Sequence, residues 1–454
     1  MLYLNKKAML IRFVVNNFLS FNEECEFNLI SGPFKNHKHH VYRNSKIDIL
    51  KASAIYGANG AGKSNLIKAI NFLKETVIKG GIDNSIDFKK FKLNKENLNK
   101  PSIFEIEFSI GKKTYSYGIT LDHTNIIEEW LYESGITVDD KLIFERRLLK
   151  TGKTSISMAD KYNKTEKEAL LLEVIKENLL KNDRLLLGMN EYLKIEELTI
   201  INNWFKEKLV VIFPNKYVHG LMPLLLESDY FKNFLNNLMN SFDTGINELT
   251  SEEIDFDKFF ADKSGSSNKK NIEEIVRLKK MLINEDLSAV IVMGKEGKMV
   301  VKKTISIHKD IVGDDVSFEL SEESDGTKRL LDFIPAIENI LRLDSTYIID
   351  EIDRSLHPSL LYMMVQKIMK DGSSHGQLIF TTHESCLLDL DIFRQDEIWF
   401  VEKEKKSGGT RIYSLSDFKP RYDLDIRKGY LRGRFGAIPF LANLQDLNWD
   451  KYES

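Results

Sequence analysis

The 454-residue chain has only two cysteines, Cys25 and Cys386, so it carries neither a disulfide framework nor a Cys-rich zinc site. A reducing, cytoplasmic setting is the expectation. Prolines number only 8 and glycines 25, which excludes a collagen-like or proline-rich disordered chain. No stretch approaches 18 uninterrupted apolar residues, so a membrane-spanning transporter is excluded and a soluble protein expected. Lys6 and Lys7 precede a short apolar run, but Arg12 interrupts it and no small-residue cleavage site follows; this reads as a first strand, not a leader. Neither charge sign dominates: 65 Lys+Arg against 68 Asp+Glu leave a net charge of -3. That balance excludes a globally basic nucleic-acid coat, though not a local basic patch. Glutamine is missing from the whole first part of the chain, where Gln366 is the first to appear.

What is present is an ordinary globular composition, 42% hydrophobic and 29% charged, organised by changes of hydrophobic period. Residues 9–30 alternate as strands, with a turn near Asn16–Asn22. A buried strand is expected at Ala52–Tyr56, then a glycine-rich turn and a helix from Ser64 to about Ile78. Residues 103–150 alternate again and predict an antiparallel meander. Between about 155 and 285 the period becomes helical, as in Leu198, Ile201, Phe205 and Leu209, or Phe231, Phe234, Leu235 and Leu238. The polar stretch Lys263–Lys270 reads as a linker, followed by a helix at Asn271–Leu282 and strands at Ala289–Met293 and Lys298–Ile307.

The most specific signal is Gly57-Ala58-Asn59-Gly60-Ala61-Gly62-Lys63-Ser64, a complete G-x-x-x-x-G-K-S set after a strand and before a helix that continues with Asn65. Glycines let the backbone curl around phosphates, and a helix N-terminus presents oriented N–H groups to them. Lys63 is placed to reach the β- and γ-phosphates of ATP, and Ser64 to put its hydroxyl on Mg²⁺. A second apolar run, Tyr347-Ile348-Ile349, ends in Asp350-Glu351. Asp350 suits the cation through water, and Glu351 suits a general base for attack by water. Glu323-Ser324-Asp325-Gly326-Thr327 opens a helix upstream, Asp353–Pro358 follows Glu351 directly, and Leu378–Thr382 is a further apolar strand ending at His383.

This motif set resembles the nucleotide-binding heads of ABC-type ATPases, in the branch shared with SMC and RecF proteins. The resemblance makes Lys63 the Walker A lysine, Asp350 and Glu351 the Walker B pair, and His383 the switch histidine. Ser324-Asp325-Gly326-Thr327 stands where the signature usually reads Ser-Gly-Gly-Gln, and Asp353–Leu356 in place of the D-loop. Two heads of that class sandwich two ATP molecules, with the signature serine of one touching the γ-phosphate held by the other. It therefore implies a homodimer or higher homo-oligomer. No glutamine occupies the usual Q-loop place. Further strings, Asn17-Phe18-Leu19-Ser20-Phe21, Glu129-Trp130-Leu131, Asp243-Thr244-Gly245-Ile246 and Tyr430–Pro439, resemble compact bacterial AAA-type ATPases of abortive-infection and antiphage defence, including those of the PARIS and Septu systems. That resemblance implies a separate effector protein, such as a nuclease or toxin.

The expected fold is α/β: an ABC-type P-loop ATPase head with a mixed sheet and an antiparallel β subdomain, carrying a compact helical insertion. The head is assigned to residues 1–154 and 286–454 and the insertion to 155–285, which is too short and too irregular in heptads for coiled-coil arms. Near the C-terminus Lys419, Arg421, Arg427, Lys428, Arg432 and Arg434 oppose only Asp423 and Asp425. A solvated helix and turn packed on the head explains these charges; contact with nucleic acid or an acidic partner is the competing reading. His37, His39 and His40 form the one histidine cluster, expected to be an exposed loop in the absence of nearby cysteines. A DNA-maintenance ATPase and a nucleotide-gated scaffold with little turnover remain alternatives to a defence role.

Overall fold

The computed structural model describes residues 7–44, 47–135, 139–214, 221–242, 244–261, 272–273, 276, 281–283, 289–293, 298–421 and 424–438. The chain divides into two units, one comprising Met1–Pro214, Ile340–Ile352 and Val365–Ser454, the other Asn215–Asn339 and Asp353–Met364.

The first unit contains two large sheets. One is the expected meander: β1 (Ala8–Asn16), β2 (Cys25–Asn28), β6 (Ser102–Ile110), β7 (Lys113–Leu121), β8 (Ile126–Glu133), β9 (Lys141–Leu148) and β10 (Thr154–Met158), antiparallel in the order β10-β9-β8-β7-β6-β1-β2. Alternation in β6 sends Phe104, Ile106 and Phe108 inward while Glu105 and Glu107 face Arg12 of β1 at 2.8 Å each. A short hairpin, β3 (Val41–Arg43) with β4 (Asp48–Leu50), precedes the second sheet. That sheet joins β5 (Ala52–Gly57), β11 (Leu209–Ile212), β17 (Thr346–Ile349), β18 (Gln377–Thr381), β19 (Ile398–Lys403) and β20 (Thr410–Ser414) in the order β11-β17-β18-β5-β19-β20. All but β20 run parallel, and β5, β17 and β18 are buried along their whole length, as parallel strands covered on both faces must be. Helix α1 (Lys63–Ile78) packs its Phe72 against Phe18 and Phe104, at ring distances of 5.0 and 4.9 Å, and so joins the meander to the P-loop helix.

Two expectations are corrected here. Leu209 belongs to no helical stripe: helix α2 (Glu196–Asn203) buries Leu198 and Ile201, and after one wide turn the β-branched run Val210-Val211-Ile212 extends as a strand beside β17. Residues 155–214 consequently belong to the head unit and not to an insertion. His40 is no exposed loop residue either, being buried with its ring nitrogens on the Glu397 carboxyl and the Met369 carbonyl.

The second unit is not purely helical. Helix α3 (Asp229–Ser241) is capped by Ser228 and buries Phe231, Leu235 and Met239; of the expected stripe, Phe234 and Leu238 are only half-buried. Beside it, β12 (Glu248–Asp255), β13 (Met281–Ile283), β14 (Ala289–Met293), β15 (Met299–Lys309) and β16 (Asp315–Glu319) form an antiparallel sheet, with both β14 and β16 paired to β15. The boundary expected at 285/286 thus falls inside one sheet. The sequence hid β12 because Glu248-Leu-Thr-Ser-Glu-Glu-Ile-Asp255 places polar residues on both faces. Of the segment expected to be a helix at Asn271–Leu282, Met281 and Leu282 lie in β13 and only 272, 273 and 276 are otherwise described; the linker Lys263–Lys270 and Asp243 lie outside the described residues. Helix α4 (Asp325–Arg342) and helix α5 (Pro358–Lys370) complete the elements used below.

Glu197, in the first turn of α2, accepts hydrogen bonds from Lys113 Nζ (2.7 Å), Tyr115 OH (2.9 Å), Lys161 Nζ (2.8 Å) and Tyr162 OH, tying α2 to β7 and to the turn after β10. Burial would raise its pKa, but these donors outweigh it and hold the carboxyl down to about 2. A depressed carboxylate contributes stability that is present above its unfolded value near 4.5 and is lost as pH falls toward 2. Glu197→Gln is therefore expected to be less stable than the parent at pH 7. In urea melts the gap should narrow as pH falls below 4.5; a gap that stays constant with pH would contradict the assignment.

Candidate functional site

The P-loop, residues 57–64, leaves β5 at its C-terminal end and enters α1 with Gly62 as N-cap. Each functional turn in it needs glycine. A Cβ on Gly57 would lie 2.3 Å from the Val401 carbonyl oxygen of the neighbouring strand. Gly62 sits at φ +118°, where a Cβ would meet Thr410 Oγ1 at 2.2 Å. The loop is braced from behind: Thr410 Oγ1 donates to the Ala61 carbonyl (2.8 Å), and Thr410 and Ser20 hydroxyls lie 2.8 Å apart. Asn65 Nδ2 donates to Ser20 Oγ at 2.8 Å. Ser20 belongs to the Asn17–Phe21 string, whose Phe18 and Phe21 are buried, so this hairpin anchors the P-loop.

Lys63 is buried, and its Nζ donates to the carbonyls of Gly57 (2.7 Å) and Ala58 (3.3 Å), closing a ring over the loop; His383 Nδ1 stands 3.5 Å away. The parallel order β17-β18-β5 brings the C-terminal ends of three strands together, the position where open α/β sheets bind ligands. Asp350 follows β17 and is buried. Both Ser64 Oγ (3.1 Å) and Thr381 Oγ1 (2.7 Å) donate to its Oδ1. Thr381 in turn accepts the Glu351 N–H at 2.7 Å. Glu351 itself occupies the left-handed region at φ +52°, an uncommon conformation for a side chain of its size. Sequence reasoning named Gly57–Asn65, Asp350, Glu351 and His383, and the fold gathers them in one place. It missed Thr381, Ser20 and Thr410, which lie in no catalytic pattern; Thr381, as the last residue of an apolar strand, carried the only available hint.

These groups fit a nucleotide with a hard cation. The Asp350 carboxylate and the Ser64 hydroxyl are oxygen donors within a few ångströms of each other, as a Mg²⁺ bound through one carboxylate and substrate phosphates requires. The P-loop backbone and the first turn of α1, which has no acidic residue, suit phosphate oxygens.

The signature residues lie in the second unit. Ser324 caps α4: its Oγ accepts the Thr327 N–H at 3.1 Å and lies 2.9 Å from Thr327 Oγ1. Asp325, whose charge would be awkward beside phosphate, has a side chain 91% exposed and lies 3.9 Å from Lys328. Gly326 approaches the Asp353–Leu356 segment so closely that a Cβ would stand 2.8 Å from the Ser355 carbonyl oxygen. Far along the chain, Arg427, Lys428, Arg432 and Arg434 are all exposed on and just after helix α6 (Ile426–Leu431). The other face of that segment packs Tyr430 and Phe435 on Phe400 of β19, at ring distances of 5.6 and 6.0 Å, as the reading of a helix and turn docked on the head requires. Asp423 and Pro439 lie outside the described residues.

The sheet order and the gathered P-loop, Asp350 and Glu351 define an α/β P-loop fold with a mixed sheet beside an antiparallel one. Residues 52–389 match the family described as AAA domain, putative AbiEii toxin, Type IV TA system, and the chain belongs to that family. No curated protein matches it. Among solved structures, a SmcHead bound to the C-winged helix domain of ScpA is similar at 14% identity and a TM-score of 0.43, over 90% of this chain and 99% of that one. The SMC head domain from Thermotoga maritima is similar at 13% and 0.35, over 89% and 98%. A Smc head domain with an extended coiled coil, bound to the C-terminal domain of ScpA derived from Pyrococcus furiosus, is similar at 14% and 0.40, over 91% and 97%. Among the described residues no helix is long and apolar enough to cross a membrane.

Thr381 offers a direct test of the acidic node. Thr381→Val keeps the strand's shape but removes the donor to Asp350 and leaves the Glu351 N–H unsatisfied, at a cost of about 1–3 kcal/mol. The expected result is a lower denaturation midpoint together with Mg²⁺-dependent nucleotide affinity reduced by about tenfold, since 1.4 kcal/mol corresponds to that factor. Unchanged affinity by fluorescent-nucleotide titration would mean that Asp350 is oriented by other contacts.

Proposed function

We propose that the chain is a cytoplasmic ABC-type ATPase that binds and hydrolyses ATP with Mg²⁺, and that it serves as the regulatory ATPase of a bacterial defence system. The hydrolytic reading rests chiefly on the node in which Ser64 and Thr381 both donate to Asp350 while Glu351 stands next in the chain. Lys63, released from the Gly57 carbonyl, reaches the β- and γ-phosphates, and the P-loop N–H groups of residues 57–65 hold the remaining phosphate oxygens. A bound Mg²⁺, held by Ser64 and Asp350, supplies neutralisation of phosphate charge. Glu351 accepts a proton as water attacks the γ-phosphorus; the new O–P bond forms, the bond to the β,γ-bridging oxygen breaks, and ADP and phosphate leave. His383 contacts the γ-phosphate region from beside Lys63. Ser324, with Asp325, Gly326 and Thr327 around it, completes the site of a second copy in a homodimer or higher oligomer.

The defence role is supported by the family's own description, which names a putative toxin and a toxin–antitoxin system, and by the resemblance of the Asn17–Phe21 and Tyr430–Pro439 strings to antiphage ATPases. In that role nucleotide state holds or releases a separate effector protein, a nuclease or toxin. Glu351→Gln is expected to bind ATP like the parent while phosphate release falls by about 10²–10⁴-fold, the usual contribution of a general base. Lys63→Ala is expected to lose nucleotide binding. Hydrolysis by Glu351→Gln at the parent's rate would remove Glu351 from the mechanism.

The exposed Arg427, Lys428, Arg432 and Arg434 favour nucleic acid as a further contact. Reversing Arg432 and Arg434 to Glu is expected to weaken binding of a DNA or RNA duplex and to flatten the slope of log K against log salt by about 0.9 per lost phosphate contact. Unchanged anisotropy titrations would leave the basic face as solvated surface.

A further inference from the structure

At the N-terminal ends of β5, β18 and β19, opposite the P-loop end of the same sheet, the loop 31–40 presents three imidazoles in a cluster that the nucleotide chemistry does not use. The rings of His37 and His40 stack at 4.8 Å, and His39 meets His40 edge-on at 4.4 Å. One ring nitrogen from each of the three lies within 4.8 Å of the others. We propose that His37, His39 and His40 form a structural site for a zinc-class divalent cation.

The surroundings have the form that a histidine metal site needs. A ligating imidazole ordinarily donates its second ring N–H to a carbonyl or carboxylate, which fixes its tautomer and leaves the other lone pair for the metal. His37 Nε2 is 2.8 Å from the Leu390 carbonyl and His39 Nε2 is 2.9 Å from the Met369 carbonyl; carbonyls only accept, so each Nε2 carries the proton and each Nδ1 keeps its lone pair. His40 has the buried Glu397 carboxyl on Nδ1 at 3.0 Å, and its Nε2 shares the Met369 carbonyl with His39 at 3.0 Å. His40 ligates by giving up that shared bond, with Glu397 retained behind it as the carboxylate partner. Zinc–nitrogen bonds near 2.0–2.1 Å in tetrahedral geometry place ligand nitrogens about 3.4 Å apart. The three rings therefore need to close by up to about 1.4 Å, and His37 and His40, stacked with planes 15° apart, need to turn so that their lone pairs converge.

The loop is held for that purpose at its other end. Arg394 donates to the carbonyls of Gly32 (3.1 Å), Phe34 (3.2 Å) and Asn36 (3.0 Å), and Asp396 accepts the Gly32 N–H at 2.7 Å. Asp396 pairs with the Arg394 guanidinium at 2.8 Å beside the site, while Glu397 accepts the Arg394 backbone N–H at 2.8 Å. Three imidazoles with no thiolate, of which His39 is exposed, match Zn²⁺ and its spectroscopic substitute Co²⁺ better than Mg²⁺ or Ca²⁺, which prefer oxygen. The bound ion would staple the loop to the base of the nucleotide-binding sheet.

The test uses the full chain, stripped with EDTA and titrated with Zn²⁺ in excess Mg²⁺, with metal content read by mass spectrometry of the desalted protein. About one Zn²⁺ per chain is expected. His37→Gln/His39→Gln should lower its affinity by about 100-fold or more, whereas Asp350→Asn should retain it, which separates this site from the nucleotide site. Co²⁺ added to the parent should give the intense visible bands of a four-coordinate imidazole site, a readout that does not depend on the variant folding. No retained Zn²⁺, Zn²⁺ retained equally by the double variant, loss of Zn²⁺ in Asp350→Asn, or the weak spectrum of six-coordinate Co²⁺ would each overturn the proposal.

Discussion

The arrangement of the head depends on one oxygen atom. Asp350 Oδ1 receives hydroxyl donors from the first turn of α1 and from the end of β18, while its own backbone N–H donates to Ile212 of β11 at 2.9 Å. A carboxylate this deeply buried is tolerable only where donors surround it, and here each donor comes from a different element of the sheet. The P-loop helix, the acidic strand and the histidine-bearing strand are fixed against one another by that requirement. Hydrogen bonds to an ionised group are stronger than neutral ones, so the site's geometry and the stability of this part of the sheet have a common source.

Much of this was legible before any coordinates. The glycines at 57, 60 and 62 with Lys63 and Ser64 carry their own geometric reason, and an apolar run closing in Asp350-Glu351 can hardly be placed anywhere but at a strand end. The meander was legible because β6 alternates buried and half-buried residues and β7 alternates Tyr115, Tyr117 and Ile119 with small or polar residues. Less could be read where both faces are alike: β12 has polar residues on both sides, so no period distinguished it from a helix edge. Leu209 fitted a helical stripe and a strand equally, and only the β-branched residues after it decided the matter. Thr381, Ser20 and Thr410 were illegible for another reason. A hydroxyl becomes functional through its partners, and those partners lie 30 to 390 residues away along the chain.

The two ends of the central sheet have opposite character. Carboxyl ends gather the P-loop, Asp350, Glu351 and His383, where the proposed chemistry asks Lys63 to leave the Gly57 carbonyl. Amino ends gather Arg394, Asp396, Glu397 and three histidines, groups that take no part in the proposed nucleotide chemistry. A parallel sheet makes this division natural, since its strand dipoles and loop crossings distinguish one end from the other.

The backbone of Glu351 has a consequence of its own. At φ +52° a glycine would sit more comfortably than any residue with a side chain, and the left-handed conformation costs an L-residue roughly 1–2 kcal/mol. Glycine at 351 should relieve that strain while removing the acid on which the proposed hydrolysis depends. Sturdiness and turnover thus pull on the same pair of dihedral angles in opposite directions, and variants recovered only for heat resistance would be drawn toward losing the acid.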